Sequence, residues 1–319
     1  MSKVYRDKSI IYLETDDGQR YYYDESRAPL GSGAMGTVYL GYNYKTRELV
    51  AVKRVKDQYS SIQGIRHRAK QEAAMMFSHY NLVEMLGMCE VYPDKGPIFI
   101  ISRYVKGETI DCFVKSRLYS LAEPYKKICE MFYPICDALD YLHSQGIVHA
   151  DIKPSNIMVE AGHNVRLMDL GIAQVYSGDG SSGTKGMMGT PRYAAPEQFS
   201  VSSHSSNSLT ARTDIYELSV TIYELLAKEN PFQGSSLQET REKHEKGWLP
   251  YIPDVPKTIV DVLRIAVSPN PSDRYQSAKE FKAALRNALF AKPQKRMWTF
   301  ILVIAVIILL VIGFLYIFQ

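Results

Sequence analysis

A chain of 319 residues with 46% hydrophobic and 23% charged side chains holds enough apolar material for a real core, which excludes a disordered protein. The net charge of +4 belongs to the C-terminal end: from Lys282 onward there are five basic residues and no acidic one. Residues 1–281 are balanced, so no nucleic-acid partner is expected, and the four cysteines, which form no CxxC pair, point to buried free thiols in a reducing compartment rather than disulfides or a zinc site.

The N-terminus, MSKVYRDKSI, lacks an apolar h-region, so no cleaved secretory signal is expected. Residues 10–23 read as a hairpin: alternating IIYLET, an Asp17-Gly18 turn, then QRYYY. Strand-like GTVYLGY and ELVAVKRV follow, then a helical stretch around residues 65–77 and two more short runs, LVEMLGMCEV and PIFIISRYV. After Gly107 the character changes. Ile128, Phe132, Ile135, Leu139 and Leu142 form one apolar face of a helix over 124–145, with Gly146 as its stop and a strand-like Gly146-Ile147-Val148 behind it. Helical patterns return at 213–228, 256–267 and 277–290. The Gly/Ser-rich residues 177–189 and Ser-rich 200–208 read as loops. The expectation is an α+β chain with a small sheet-rich lobe and a larger helical one.

The far end differs from the rest. TFILVIAVIILLVIGFLYIF, residues 299–318, carries no charge and as a helix spans roughly 30 Å, the thickness of a bilayer core. Trp298 and Tyr316 suit its two interfaces, and Lys292, Lys295 and Arg296 precede it. Positive-inside asymmetry then places residues 1–297 in the cytoplasm, as in a tail-anchored protein.

The segment GSGAMGTVYLG holds Gly31, Gly33 and Gly36 in a GxGxxG pattern, but a strand follows it rather than a helix, which argues against a dinucleotide-binding βαβ unit. A glycine turn between strands can instead lie over a nucleotide, its N–H groups close to phosphate. Lys53 ends the apolar strand VAVK, either reaching solvent or turned inward toward an anion, and Glu72 is its natural counter-ion. HADIKPSN places Asp151 and Asn156 five apart, and Asp169 follows in LMDLG. Phosphoryl transfer needs a carboxylate to orient the attacking hydroxyl, oxygen ligands for Mg²⁺ and positive charge on the phosphates. Asp151 can supply the first, Asn156 and Asp169 the second, and Lys53 and Lys153 the third.

With GSGAMGTV, VAVK, HADIKPSN, DLG, GTPRYAAPE, TDIYELS and DRYQS in this order, the chain resembles the eukaryotic-type protein kinase superfamily, and is most similar to its bacterial serine/threonine branch. The resemblance covers roughly residues 24–290, with an N-lobe to about residue 105, a 1–23 hairpin extension before it, and a basic linker at 291–298 before the span. It implies an ATP- and Mg²⁺-dependent enzyme (Mn²⁺ in its place is allowed) acting on Ser/Thr hydroxyls of proteins; confinement by the membrane span would in addition favour autophosphorylation in trans, in a homodimer. By the same resemblance Lys53 pairs with Glu72 and the phosphates, Asp151 is the base, Lys153 meets the γ-phosphate, and Thr190 braces Asp151 and Lys153. Asn156 and Asp169 bind the metal. The nucleotide is lined by Leu30, Gly31, Ser32, Gly33, Ala34, Met35, Gly36, Val38 and Ala51, with Ser102 as a small residue behind the adenine and Arg103, Tyr104 and Val105 as the hinge. Glu197 forms a buried pair with Arg274, and Asp214 holds the catalytic-loop backbone. Three departures stand out. Ala150 replaces the usual arginine, so a phosphate on Ser181, Ser182 or Thr184 lacks its bidentate partner. Leu170 replaces a phenylalanine, and Glu72 lies close to SHYNLV. The competing readings are a pseudokinase or scaffold that binds nucleotide, or a partner, without transfer, and a small-molecule kinase of related fold, against which GTPRYAAPEQF, matching a segment that docks a peptide substrate, argues.

Overall fold

The computed structural model describes residues 3–33, 36–60, 66, 78–91, 96–169, 190–199 and 209–291. The N-terminal alternation folds into β1 (Lys3–Asp7), β2 (Ile10–Glu14), β3 (Arg20–Asp24), β4 (Gly31–Ser32), β5 (Gly36–Asn43), β6 (Leu49–Val55), β7 (Met85–Glu90) and β8 (Ile98–Arg103). They form one antiparallel sheet in the order β1-β2-β3-β5-β6-β8-β7, with β4 paired to β5. The β2–β3 hairpin turns where Asp17-Gly18 predicts it, Gly18 taking φ +82°. The hairpin is not a separate appendage, because β3 pairs directly with β5 (Tyr22 opposite Tyr42). One face of this sheet buries Ile11, Leu13, Tyr21, Tyr23, Val50, Val52, Phe99 and Ile101 in a core of its own. Strand β1 is an element that the sequence pattern did not announce.

The helical lobe contains α2 (Ile110–Phe113, continued as a π-turn to Leu118), α3 (Pro124–Met131), α4 (Tyr133–Ser144), α5 (Pro196–Phe199), α6 (Ala211–Ala227), α7 (Leu237–Lys246), α8 (Lys257–Ala266) and α9 (Ala278–Phe290); α1 is a single turn at Asp57–Ser60 in the smaller lobe. The helix expected over 124–145 is two helices meeting at Phe132. Pro134 cannot donate to the carbonyl four residues back, and its ring crowds that carbonyl. Helix α6 is buried nearly all round, with Ile215, Tyr216, Leu218, Val220, Ile222, Leu225 and Leu226 inside, and is the post on which the lobe is packed. Thr210 caps it in a reciprocal box with Thr213. A small sheet of β9 (Gly107–Thr109), β10 (Ile157–Glu160) and β11 (Val165–Leu167), ordered β11-β10-β9, lies beside the loop that carries HADIKPSN.

Three of the four cysteines are buried free thiols as expected, but Cys112 is exposed because it sits on the outer side of the short helix α2. Of the expected helix at 65–77 only Arg66 is described; it is helical and buried, with its guanidinium 2.6 Å from Glu90. No helix among the described residues is long and apolar enough to cross a membrane, and the stretch 299–318 lies outside them, as do residues 177–189 and 200–208.

Candidate active site

The loop bearing HADIKPSN begins where α4 stops. Gly146 takes φ +74°, and the N–H groups of Gly146 and Ile147 bond back to the carbonyls of His143 and Leu142, each at 3.0 Å, closing the helix in a Schellman turn. Gly146 to Val148 then run without ladder partners, so they are not the strand that their apolar character suggests. The loop is seated on α6. Asp214, fully buried, accepts the N–H of His149 (2.9 Å) and of Ala150 (2.6 Å) and lies 2.7 Å from His143 Nε2. The His149 ring bridges forward: its Nδ1 accepts from Asp151 N (3.3 Å), which leaves Nε2 as the protonated nitrogen donating to the Met168 carbonyl at 2.9 Å.

That frame brings the sequence-predicted polar groups together. The Lys153 ammonium donates to Asp151 Oδ2 and to Thr190 Oγ1, each at 2.7 Å, and the Thr190 hydroxyl donates to Asp151 Oδ1 at 3.0 Å. Asn156 Nδ2 donates to the Asp151 carbonyl (2.8 Å) and to Asp151 Oδ2 (3.1 Å). Both amide hydrogens are thereby spent, which fixes the amide and leaves Oδ1 to accept a donor or a cation. Met168 N bonds to the Asn156 carbonyl at 2.8 Å, so Asp169 follows immediately from the same frame. Two non-glycine residues here adopt left-handed backbone, Ala150 (φ +49°) and Asp169 (φ +51°), the kind of strain that persists where surroundings over-determine it.

Across from them, Lys53 Nζ lies 3.2 Å from Asp169 Oδ2. Although part of the Asp169 side chain is open to the cleft, its carboxyl is otherwise ringed by protein, which pushes its pKa up. The Lys53 charge and hydrogen bond, with His149 and Lys153, outweigh this and hold it below the usual carboxylate range. Lys53 is positioned by β6, where it stands opposite Val38 on β5 and Ile100 on β8, and Ala51, two residues earlier on the same strand, stands opposite Ser102 on β8. The glycine-rich turn has two kinds of glycine. A Cβ on Gly36 would lie 2.5 Å from the Arg54 carbonyl, so packing demands glycine there; Gly31 and Gly33 stand in open space, so no contact among the described residues explains them. Leu30 is exposed, with its N–H bonded to the Val38 carbonyl at 2.8 Å, and Ser32 Oγ lies 3.3 Å from Thr37 Oγ1. In the inter-lobe stretch Arg103 is exposed with its N–H on the Glu84 carbonyl (2.9 Å), Tyr104 is half-buried and Val105 is buried. Glu72, Ala34, Met35, Leu170, Ser181, Ser182 and Thr184 lie outside the described residues.

Below the cleft, Glu197 and Arg274 form the expected buried pair, in parallel bonds of 2.8 and 2.9 Å. Residues 24–300 match the family model described as protein kinase domain. The chain belongs to the protein kinase family. Among curated proteins it is 32% identical over 269 residues to a probable serine/threonine-protein kinase of Clostridium perfringens, covering 82% of this chain and 37% of that one. It is also 32% identical over 266 residues to the serine/threonine-protein kinase PknB of Mycobacterium tuberculosis, covering 80% of this chain and 41% of that one. The chain thus spans about two fifths of the length of these relatives. The crystal structure of a mutant PknI kinase domain from M. tuberculosis shares the fold, with a TM-score of 0.61 at 24% identity over 84% of this chain and 95% of that one.

Three polar groups escaped the sequence reading. Gln198, Glu217 and Thr221 all bond to the backbone of the kinase loop at Ala150 and Ile152. A glutamate between Tyr216 and Leu218, three residues after Asp214 and so on the same face of a helix, was the available signal.

Proposed function

We propose that this chain is an ATP-dependent serine/threonine protein kinase using Mg²⁺ or Mn²⁺, with Asp151 as base. The observation that carries the reading is the Asp151 carboxylate held from both oxygens by Lys153, Thr190 and Asn156. A carboxylate so fixed can orient a substrate hydroxyl and take its proton as the hydroxyl oxygen bonds to the γ-phosphorus and the bond to the ADP oxygen breaks. Lys153, between Asp151 and Thr190, places its ammonium beside the transferring group. Asn156 Oδ1 and the Asp169 carboxylate are a hard oxygen pair that fits a divalent cation keeping waters and phosphate oxygens as its other ligands. When bound, that cation neutralises charge on the phosphates. Lys53 would hold the phosphates beside Asp169, and Val38, Ala51, Ser102 and residues 103–105 would line the base. Lys153 together with GTPRYAAPE, and the names of the relatives, support Ser/Thr rather than Tyr acceptors. Phosphate transfer from labelled ATP with Mg²⁺ to a generic basic protein by the full chain, beside Asp151→Asn, tests this. Label on neither substrate nor kinase, despite nucleotide-induced stabilisation, would favour a nucleotide-binding pseudokinase.

Two finer readings accompany it. The uncharged stretch 299–318 after Lys292, Lys295 and Arg296 supports a membrane anchor with the kinase on the cytoplasmic side, where confinement favours phosphorylation in trans. The full chain is expected to float with phospholipid vesicles and a chain ending at Ala291 to stay behind; equal flotation would discard the anchor. Ala150 supports activity that is independent of activation-segment phosphate. Alanine at Ser181, Ser182 and Thr184 together is expected to leave the initial rate within about threefold, since no guanidinium stands at residue 150 to pair with phosphate, and a loss beyond about tenfold would discard it.

A further inference from the structure

One polar stripe of α6 carries the catalytic loop. Asp214, Glu217 and Thr221 stand three and four residues apart and share a helix face. Asp214 takes the N–H groups of His149 and Ala150, Glu217 Oε2 accepts the N–H of Ile152 at 2.8 Å, and Thr221 Oγ1 donates to the Ile152 carbonyl at 3.3 Å. Glu217 is only 1% exposed, a depth at which glutamate is rarely found unless it has specific partners. Its second oxygen shows what the partner is: Oε1 accepts from Gln198 Nε2 at 3.0 Å. Gln198 is itself fully buried and uses both ends of its amide. Nε2 also donates to the Ala150 carbonyl at 3.1 Å, and Oε1 accepts the Ala195 N–H at 2.5 Å. Burial and the neighbouring Asp214 push the Glu217 carboxyl well above the carboxylate range, against the Ile152 and Gln198 hydrogen bonds.

The geometry matters because of what lies between the two bonds. Ala150 has left-handed backbone at no glycine's cost advantage, so its peptide groups must be held from outside: Asp214 takes its N–H and Gln198 its carbonyl. Ile152 is held next by Glu217. Asp151, the proposed base, is the residue flanked by these two anchors. Gln198 meanwhile belongs to the 190–199 segment, which also carries Thr190. Its amide is therefore a neutral, permanent tie between that segment and the catalytic loop, at the one position where the side chain of residue 150 is too short to make a tie itself.

We propose that Gln198 and Glu217 act as a positioning couple that locks Ala150 and Ile152 to the 190–199 segment, so that Asp151 is held in register without a phosphate on the chain. The proposal rests on the kinase reading for its effect on turnover, and on geometry alone for its effect on the loop. Its test uses the full chain in detergent micelles and two readouts, hydrogen exchange of a fragment covering residues 148–153 and the kinetics of phosphate transfer. Glu217→Leu and Gln198→Leu, of similar volume but without acceptor or donor, are each expected to speed exchange in that fragment about tenfold or more, the equivalent of one lost buried hydrogen bond. They should lower kcat by a similar factor while the KM for Mg-ATP stays within about threefold, and the double variant should lose no more than the worse single, as coupled residues do. Glu217→Gln keeps an oxygen for Ile152 but turns its amide nitrogen toward the Gln198 amide nitrogen, two donors face to face, so it is expected to recover only part of both. Unchanged exchange in the two Leu variants overturns the couple, and so does a double variant whose losses multiply. If Glu217→Leu does not fold, Gln198→Leu, which removes only a neutral amide, decides by the same measurements; protection lost equally across α8 and α9 in that variant means general unfolding and also overturns it. An inactive wild type would defeat the kinase reading, yet exchange would still decide the couple.

Discussion

Asp151→Asn is expected to lower kcat by about 10²–10⁴-fold, the usual worth of a general base, with the melting temperature and the affinity for Mg-ATP little changed. The geometry explains why the fold should tolerate it. Asp151 Oδ2 receives two donors, the Lys153 ammonium and Asn156 Nδ2, whereas among the described residues Oδ1 receives only the Thr190 hydroxyl. An asparagine would turn its oxygen toward the two donors and its amide nitrogen toward Thr190, whose hydroxyl can rotate and accept. Every hydrogen bond then survives and only the basic oxygen is gone. Steady-state transfer of labelled phosphate, with nucleotide affinity measured separately, reads the two quantities. A variant within about threefold of wild type would remove Asp151 from the chemistry, since no structural compensation supplies a base.

How much of this was legible in the sequence depends on where each feature keeps its information. The hairpin was legible because Asp17-Gly18 and the flanking alternation are local, and α6 because Ile215, Leu218, Ile222 and Leu225 recur at helical spacing. The catalytic cluster was legible because four of its members lie within eight residues. Helix α7 was not: LQETREKHEK has no apolar stripe and buries only Thr240 and His244, so its signals were the caps, Ser236 at the start and Gly247 at φ +60° at the end. The break at Phe132 was announced by Pro134 but hidden by the apolar spacing that runs through it. The strands β9 to β11 are three or four residues long and exist by pairing with one another, which no single segment records. Gln198 and Glu217 join residues 48 and 65 positions apart in sequence, and a buried glutamine reads as nothing until its partners are in place. The Lys53 pairing with Glu72 falls outside the described residues, whereas the Lys53–Asp169 approach came from the fold alone.

The second large effect is on stability. The Arg274 guanidinium has five N–H donors and every one is engaged: Nε with the Ser268 carbonyl (2.7 Å), one terminal nitrogen with Glu197 Oε1 (2.8 Å) and the Arg212 carbonyl (3.1 Å), the other with Glu197 Oε2 (2.9 Å) and the Pro269 carbonyl (3.0 Å). It also lies over the Tyr216 ring at 4.7 Å. Its side chain is fully buried, so removal leaves three carbonyls without their donor and the Glu197 carboxylate without its counter-charge, keeping the Thr213 hydroxyl. Arg274→Ala is therefore expected to cost about 3–5 kcal/mol of unfolding free energy. Lysine, with three donors and no planar fork, should recover less than half of that. The sharper expectation concerns the pair: Arg274→Ala combined with Glu197→Ala should be less damaging than Arg274→Ala alone, because the orphaned charge is removed with its partner. Urea unfolding at constant slope measures all three. A single variant within about 1 kcal/mol of wild type would mean that water reaches Glu197 and screens it, as at a surface pair. A double variant worse than the single would mean that Glu197 is held chiefly by Thr213, whose hydroxyl lies 2.8 Å away, and that the 190–199 segment is tied down from its own side rather than by Arg274.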